Sequence, residues 1–280
     1  MVSNRKPDIV CIGAQKSGTS WLHETLSIRP DVWVPPFKEL HFFDHKFVKE
    51  CRQWAPWHVK KGVKQARERY QWSQVTDPKD PYLEYLDRLV EKPFLNGSWY
   101  KYVFSRAGAQ QKCLDVTPEY SCIPDDGVDF FKRFLPGVKI IYIIRHPMDR
   151  LKSQLRMNAF RRKSLPSSRA EWFELLESKA LRTRGDYLGI VPRWDRRFSD
   201  NQLLYLPFGQ IAGDPMGFLR MVEEHCGLEP GEYKNAHRKV HQTQRLEFPD
   251  FVLRHLEAMS APQSEFIQER FGKNFYLSTV

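Results

Sequence analysis

A glycine-bearing stretch near the start of the sequence has the composition of a phosphate-binding loop. The apolar run Ile9–Gly13 predicts a buried strand, and Gly13-Ala-Gln-Lys-Ser-Gly-Thr-Ser20 separates it from a predicted helix. Such a loop presents backbone N–H groups and a helix N-terminus to an anion. The GxxxxG spacing matches that of nucleotide-triphosphate P-loops, but Thr19 stands where their lysine would be, and the lysine of this loop is Lys16. Lys16 would therefore lie beside the terminal group of a ligand shorter than a triphosphate.

A second candidate phosphate site follows another predicted strand. The run Lys139–Ile144 leads directly into Arg145-His-Pro-Met-Asp-Arg-Leu-Lys-Ser153. Pro147 suits the first turn of a helix, so Arg145 stands at the carboxyl end of a strand, where open α/β sheets bind ligands. Ser153 lies about two turns into that helix. Taken alone, these residues also fit a helix start with a solvated basic face.

Between these two segments lies a short stretch rich in groups that could accept a proton. Pro35-Pro-Phe-Lys-Glu-Leu-His-Phe-Phe-Asp44 contains Lys38, Glu39 and His41 within a few residues. A carboxylate or imidazole in a partly desolvated cleft can act as a general base toward an attacking hydroxyl. The alternative interpretation is a charged loop with a buried, hydrogen-bonded histidine.

The elements that must position these residues follow an alternating pattern. Short apolar runs alternate with helical periodicity, which predicts an α/β fold with a mostly parallel sheet. The segment from about Phe47 to Phe104 interrupts this rhythm with Trp, Tyr, Lys and Arg, and is predicted to be a helical insertion that either binds an acceptor or forms a satellite core with a solvated basic face. The predicted strands are Ile9–Gly13, Val32–Val34, Cys113–Val116, Lys139–Ile144 and Leu203–Leu206, and the predicted helices are Thr19–Ile28, Asp126–Phe134, Met148–Arg161, Arg169–Lys179 and Pro215–His225.

Composition limits the class of protein. The 280 residues, 41% hydrophobic and 28% charged, predict one globular domain spanning 1–280. A formal net charge of +10 suits an anionic partner, although the sequence contains no nucleic-acid-reading module. No apolar stretch has membrane-spanning length, and no targeting segment precedes the first strand. Five scattered cysteines indicate reduced thiols in a cytoplasmic protein, and no Cys/His cluster has zinc spacing.

Three segments together resemble one enzyme family. The loop Gly13–Ser20 with the following Trp21-Leu22 resembles the 5′-phosphosulfate-binding loop of sulfotransferases that use 3′-phosphoadenosine 5′-phosphosulfate (PAPS). Arg145-x-Pro followed by Ser153 is similar to their 3′-phosphate-binding motif. Glu39-Leu-His-Phe-Phe-Asp44 is very similar to a segment of the heparan sulfate O- and N-sulfotransferase branch and its bacterial relatives. The resemblance implies a P-loop-like fold in which a central parallel sheet of about five strands is flanked by helices.

The resemblance also assigns roles. It makes Glu39 the general base, supported by His41 and Asp44, and it places Lys16 on the leaving phosphate, with no metal required. Heparan-type members often have a lysine where this chain has Val116, and Lys38 is a candidate to replace it. Residues implied in binding PAPS, or the product adenosine 3′,5′-bisphosphate (PAP), are Gln15, Lys16, Ser17, Gly18, Thr19, Ser20, Arg145, Ser153 and, from a looser match at Arg238-Lys-Val-His241, Arg238 and Lys239.

The expected reaction is therefore transfer of a sulfuryl group from PAPS to a hydroxyl or amine. A carbohydrate, lipid, peptide tyrosine or small metabolite could be the acceptor, and neither the acceptor nor the oligomeric state follows from the sequence. One alternative is a P-loop kinase in which Asp115, at the end of a predicted strand, binds magnesium. A second alternative is a non-catalytic module that holds an anionic glycan or phospholipid.

Overall fold

The computed structural model describes residues 5–73, 80–238 and 245–280. Within these residues a single five-stranded sheet has the order β2-β3-β1-β4-β5, and all four neighbouring pairs are parallel. Parallel strands need a crossover between them, which the intervening helices supply. The strands are β1 (Ile9–Gly13), β2 (Val32–Trp33), β3 (Lys112–Val116), β4 (Lys139–Ile144) and β5 (Leu203–Pro207).

Helices cover both faces and extend around the sheet. In the first half of the chain they are α1 (Thr19–Ser27), α2 (Phe42–Phe47), α3 (Cys51–Ser73), α4 (Pro81–Arg88), α5 (Gly97–Val103) and α6 (Asp125–Phe134), and a 3₁₀ turn spans Pro118–Cys122. In the second half they are α7 (Pro147–Phe160), α8 (Arg169–Leu176), α9 (Lys179–Thr183), α10 (Tyr187–Asp195), α11 (Gln210–Gly213), α12 (Pro215–Cys226), α13 (Asp250–Phe271) and α14 (Lys273–Leu277).

The central strand β1 shows that the sheet is covered on both faces. All five of its residues are buried, as expected for a strand covered by helices on each face. Because side chains alternate along a strand, Ile9 and Cys11 enter one apolar cluster and Val10 and Ile12 enter the other. The first cluster includes residues of α1 and α12, and the second includes residues of α2, α3, α5 and α6.

The predicted fold class is confirmed: the sheet is parallel, has five strands and is flanked by helices. One predicted helix is wrong. The sequence pattern predicts a continuous helix over Arg169–Lys179, whereas the structure ends α8 at Leu176 and begins α9 at Lys179. The hydroxyl of Ser178 donates a hydrogen bond of 2.7 Å to the carbonyl of Leu175, which gives the backbone an alternative to the helical ladder at this point.

The segment around residues 47–104 contains α3, α4 and α5, and α3 is its longest element. One side of α3 buries Ala55, Val59 and other small or branched residues in the main core. The opposite side is exposed and includes Trp57. At Gly62, α3 lies so close to Phe37 that an added Cβ would come within 2.7 Å of that ring. Helix α3 therefore packs directly on the segment that leads to Glu39.

Candidate active site

The loop between β1 and α1 has the backbone geometry of an anion cradle. Gly18 caps the N-terminus of α1 with a φ of 79°, in the left-handed region that favours glycine. A side chain there would also collide with Ile211, whose Cδ1 lies 2.4 Å from the position of an added Cβ. Lys16 has a φ of 70° as well, an uncommon conformation for a residue with a side chain. The sequence therefore forms a tight turn that directs the loop and the start of α1 toward one cleft.

That cleft joins the segments that the sequence analysis selected. It has a volume of about 440 Å³ and is lined by polar groups from the loop, from the Lys38–Glu39 segment and from α7. Parallel strands β1 and β4 are neighbours, so the loops after them meet at the same edge of the sheet. The lining residues are Gln15, Lys16, Gly18, Thr19, Ser20, Trp21, Lys38, Glu39, Pro118, Arg145, Ser153, Met157, Arg161 and Phe208.

Positive charge is concentrated in this cleft. Burial first, and then the charges of Arg145, Arg161, Lys38 and Arg156, lower the pKa of Lys16. A polyanionic ligand would relieve the repulsion that contributes to this shift. The charge distribution thus favours a ligand with several phosphate or sulfate groups.

Arg145 connects the two segments that are predicted to bind phosphate. Its Nη1 donates a hydrogen bond of 2.9 Å to the backbone carbonyl of Lys16, and its guanidinium lies 4.5 Å from the centre of the Phe208 ring. Ser153, one of the residues that α7 places on the cleft, is buried. Both residues of the predicted 3′-phosphate motif are therefore part of the same cleft as Lys16.

Lys38 stands between the loop and the candidate base. Its ammonium donates to the hydroxyls of Thr19 at 3.2 Å and Ser20 at 3.1 Å, and lies 3.3 Å from Oε1 of Glu39. This position brings a cation close to both the loop and the carboxylate. It supports the idea that Lys38 supplies the charge that Val116 does not.

The backbone that carries the candidate base is held in an uncommon conformation. Glu39 and His41 have φ values of 67° and 53°. Such conformations persist only when the surroundings fix them, and they are often found at functional sites. The N–H of Glu39 donates to the carbonyl of Val116 at 3.2 Å, and the N–H of Leu40 donates to the hydroxyl of Thr117 at 2.9 Å. The end of β3 thus fixes this turn.

Glu39, His41 and Asp44 form a line of alternating charges. Nδ1 of His41 lies 2.9 Å from Oδ2 of Asp44, and Nε2 lies 3.6 Å from Oε2 of Glu39. Burial lowers the pKa of His41, but the charge and hydrogen bond of Asp44, together with Glu39, outweigh it and raise the pKa to about 10. Burial likewise raises the pKa of Glu39, but His41 and Lys38 outweigh it and hold that pKa well below its usual range. Glu39 is therefore ionised at neutral pH, as a base must be.

One histidine that sequence reasoning missed contacts this line. His58 projects from α3, and its Nε2 lies 3.1 Å from the carbonyl oxygen of Lys38. Its ring centre is 4.7 Å from that of His41, which also packs edge-on against Trp54. Nothing in the local sequence links α3 to the Lys38–Glu39 segment, since this contact depends on how the insertion folds back.

A second residue that could not be predicted from the sequence contacts the loop between β1 and α1. Arg184 contacts Glu119 at 2.9 Å and donates to the amide oxygen of Gln15 at 3.2 Å. Gln15 is predicted from the loop sequence, but Arg184, which donates to it, lies 169 residues away in the sequence. Burial raises the pKa of Glu119 despite the opposing charge of Arg184.

Two predicted binding residues, Ser17 and Arg238, do not line the cleft, and a third cannot be placed relative to it. Ser17 is buried within the loop rather than lining the cleft. Arg238 is exposed and is not among the described lining residues, and Lys239 lies outside the described residues. The cleft is therefore assembled from the two sharp motifs and the Glu39 segment, without Arg238.

Comparison with known proteins agrees with this geometry. A family model described as the sulfotransferase family matches residues 7–232. The chain belongs to the sulfotransferase family. This sulfotransferase is 23% identical over 233 residues to mouse heparan sulfate glucosamine 3-O-sulfotransferase 3B1, and 22% identical to the human 3B1 enzyme. Each match covers 81% of this chain but 47% of the relative, so the chain spans about half the length of these curated relatives.

Solved structures support the fold of this sulfotransferase. A sulfotransferase from Alicyclobacillus acidocaldarius has a TM-score of 0.64, 22% identity and coverage of 95% of both chains. The sulfotransferase domain of the Synechococcus PCC 7002 olefin synthase has a TM-score of 0.58, 17% identity, and coverage of 99% of this chain and 94% of that one. The predicted P-loop-like sulfotransferase fold is confirmed. Among the described residues, no helix combines the length and apolar character needed to cross a bilayer.

Proposed function

We propose that this protein transfers a sulfuryl group from PAPS to an acceptor hydroxyl or amine, with Glu39 as the general base. The observation that carries the proposal is the shared cleft of Lys16, Glu39, Arg145 and Ser153. A donor with a phosphate at each end needs two anion sites, and a transfer reaction needs a base between donor and acceptor. Each of these requirements has a residue in the cleft.

The proposed roles follow from position and charge. The loop and Lys16 bind the 5′-phosphosulfate, and Lys16 stabilises the charge that develops on the leaving phosphate. Arg145 and Ser153 bind the 3′-phosphate. Lys38 contacts both the loop, at Thr19, and the proposed base Glu39, so it can stabilise charge on the sulfuryl group as it is transferred. On this proposal the positive charges come from side chains, and no metal is required.

The proposed base is positioned by two neighbouring side chains. Glu39 accepts the acceptor's proton, while His41, oriented by Asp44, holds the carboxylate in place. The attacking oxygen or nitrogen forms a bond to sulfur, the bond from sulfur to the bridging oxygen of PAPS breaks, and PAP leaves with the bonding electrons.

The kinase alternative requires Asp115, at the end of β3, to bind magnesium, and the surroundings of this residue give that role little support. The carboxylate of Asp115 accepts hydrogen bonds from Thr117 at 2.7 Å, Tyr100 at 2.8 Å and Tyr120 at 3.0 Å. Asp115 is fully buried and does not line the cleft. Its role is to join β3 to α5 and the 3₁₀ turn, which leaves it poorly placed to bind magnesium.

The test is Glu39→Gln with PAPS and a panel of candidate acceptors. Glutamine keeps the shape of the side chain but cannot accept the proton, so turnover should fall about 10²–10⁴-fold. Binding of PAP, measured by thermal shift, should stay close to that of wild type because Glu39 does not belong to either phosphate site. Near wild-type turnover by this variant would remove Glu39 as the base, and His41 would then be examined.

The acceptor and the cellular setting are part of the same proposal. Candidate acceptors are a carbohydrate, a glycolipid or a small metabolite, and the relatives whose names specify heparan sulfate glucosamine make a carbohydrate the first to test. All five cysteines are free, which supports a reducing compartment such as the cytoplasm. The non-catalytic binding alternative predicts that PAP binds but that no acceptor is sulfated.

A further inference from the structure

Three potential metal ligands converge around Glu39, which lines the cleft. Glu39, His41 and His58 each place one ligand atom so that all three atoms lie within 4.8 Å of one another. Two imidazoles and one carboxylate form a donor set that suits zinc. His58 reaches this point from α3, so the cluster exists only because the insertion packs on the catalytic segment.

The state of His41 points to a ligand. Its side chain is 2% exposed, and its Nε2 lies 3.6 Å from Oε2 of Glu39 but is within hydrogen-bond distance of no described residue. The other ring nitrogen, Nδ1, is 2.9 Å from the carboxylate of Asp44. Zinc-bound histidines commonly donate their second ring N–H to a carboxylate, which fixes the tautomer and the ring orientation. Asp44 thus already provides the outer partner that a zinc-binding His41 would need.

The distances between the ligand atoms also fit a zinc ion. Ligand atoms about 2.0–2.1 Å from a tetrahedral zinc are roughly 3.3–3.4 Å apart. Nε2 of His41 and Oε2 of Glu39 are separated by 3.6 Å. Lys38 contacts the other oxygen, Oε1, so it does not cover the side of the carboxylate that faces His41. A small movement of His58 would complete three protein ligands, and a water molecule from the cleft could take the fourth position.

We propose that Glu39, His41 and His58 bind Zn²⁺, and that zinc bound there inhibits the enzyme. Zinc would replace a proton on Nε2 of His41 and would occupy the carboxylate of Glu39 that otherwise accepts the proton of the acceptor. The inhibition rests on the proposed function, whereas the binding site does not. The donor sites at Lys16 and Arg145 use other groups, so PAP should bind in the presence of zinc.

The experiment compares zinc binding and inhibition in matched variants of the full chain. His58→Gln keeps a group that can donate to the carbonyl of Lys38 but removes the imidazole, and His237→Gln makes the same change at an exposed histidine outside the cleft. Zinc should inhibit wild type and His237→Gln at similar concentrations. The half-inhibitory concentration should rise at least ~10-fold in His58→Gln, relative to the zinc-free rate of that variant. Loss of a direct ligand should weaken the site at least as much as loss of an outer hydrogen-bond partner, for which about 10–100-fold is typical.

Two further measurements do not depend on turnover. Calorimetry should detect one Zn²⁺ per wild-type chain, and substitution with Co²⁺ should give the visible absorption of a tetrahedral site that His58→Gln weakens. Asp44→Asn, which removes the outer carboxylate, should reduce zinc affinity about 10–100-fold. Mg²⁺, which prefers oxygen ligands in octahedral geometry, should bind and inhibit poorly.

The outcomes separate the two proposals. Absence of Zn²⁺ binding by calorimetry, or equal zinc affinity in wild type and His58→Gln, would overturn the zinc site whether or not an acceptor is known. Zinc binding that depends on His58 but leaves turnover unchanged would overturn the inhibitory role. A protein that binds zinc and PAP but sulfates no acceptor would instead count against the proposed enzymatic function.

Discussion

At the scale of single residues, the cleft combines side chains whose charges would be unfavourable without a ligand. Arg145 and Lys16 are held together by the hydrogen bond from the guanidinium to the loop carbonyl. This contact means that Arg145 restrains the loop in addition to its proposed role in binding a phosphate. Ser153 lines the same cleft from α7.

Substitution of Arg145 should show whether this residue binds the 3′-phosphate of the donor rather than its 5′ end. We expect Arg145→Ala to weaken PAP binding by about 2–5 kcal/mol, the range for truncating one partner of a buried charge pair. Adenosine 5′-phosphosulfate, which lacks the 3′-phosphate, should lose much less affinity. Ser153→Ala serves as the control for loop disturbance and should weaken PAP selectively but less strongly. Equal losses for both ligands in both variants would contradict a 3′-phosphate site.

His23 gives a prediction about acid stability. Burial, followed by the charge of Lys38, lowers its pKa to about 4. In the unfolded chain the pKa of this histidine returns to its usual value of about 6.5, so the unfolded chain binds a proton at a pH where the folded protein does not. The free energy of unfolding therefore falls as the pH falls from about 6.5 toward about 4. Between pH 7 and pH 5 this histidine should account for about 2 kcal/mol of lost unfolding free energy.

The measurement is urea unfolding of wild type and His23→Gln at both pH values. The variant should lose about 2 kcal/mol less stability than wild type on acidification, since glutamine does not titrate. Because other groups titrate equally in both proteins, the comparison isolates His23. An identical pH dependence in the two proteins would show that His23 is not held in the neutral form.

At the scale of elements, the loop depends on glycine at one position. Gly18 combines a φ of 79° with a Cβ position 2.4 Å from Ile211. We expect Gly18→Ala to strain the turn by about 1–2 kcal/mol and to reduce PAP affinity, because the N-terminus of α1 would shift away from the phosphate. Thermal unfolding and PAP titration measure the two effects.

Gly213 provides the matched control for this change. It lies in α11, and an added Cβ would meet nothing within 4 Å. Gly213→Ala should be neutral or slightly stabilising, since alanine reduces the entropy of the unfolded chain. If both variants behave alike, the backbone of the loop does not limit donor binding.

The elements themselves were predictable where local pattern is strong. Each predicted strand appears in the sheet, because continuous apolar runs such as Lys139–Ile144 suit strands covered on both faces. The predicted P-loop, Glu39 and Arg145 meet in one cleft because the order of strands brings their loops to one edge. His58 and Arg184 could not be found this way, since each acts across more than 15 residues through the packing of α3 or of the segment after α9.

At the scale of the whole molecule, the last helix and the residues after it contact the turn that follows Arg145. His146, which follows Arg145, contacts the hydroxyl of Tyr276 in α14 at 2.8 Å, and its N–H donates to the carbonyl of Thr279 at 2.9 Å. The N–H of Gly209, after β5, donates to the carbonyl of Ser278 at 2.8 Å. The C-terminal residues thus connect the ends of β4 and β5.

Loss of this support should be measurable far from α14. Tyr276→Phe removes one hydrogen bond, worth about 0.5–1.5 kcal/mol, and should weaken PAP binding by up to roughly tenfold through the turn that carries Arg145. Tyr82→Phe, which changes a tyrosine of α4 outside the cleft, is the control. Unchanged PAP affinity in Tyr276→Phe would mean that α14 stabilises the fold but does not position the donor site.

The strand order has a consequence for synthesis of the chain. β1 lies at the centre of the sheet, and its two partners are β3 and β4. On a ribosome that adds about 5–20 residues per second, the roughly 100 residues between β1 and β3 leave the strand unpaired for roughly 5–20 s. During that time both edges of an entirely apolar strand are available to other chains. The strand at the centre of the fold is thus a segment of the nascent chain that would benefit from protection by chaperones until β3 has been synthesised.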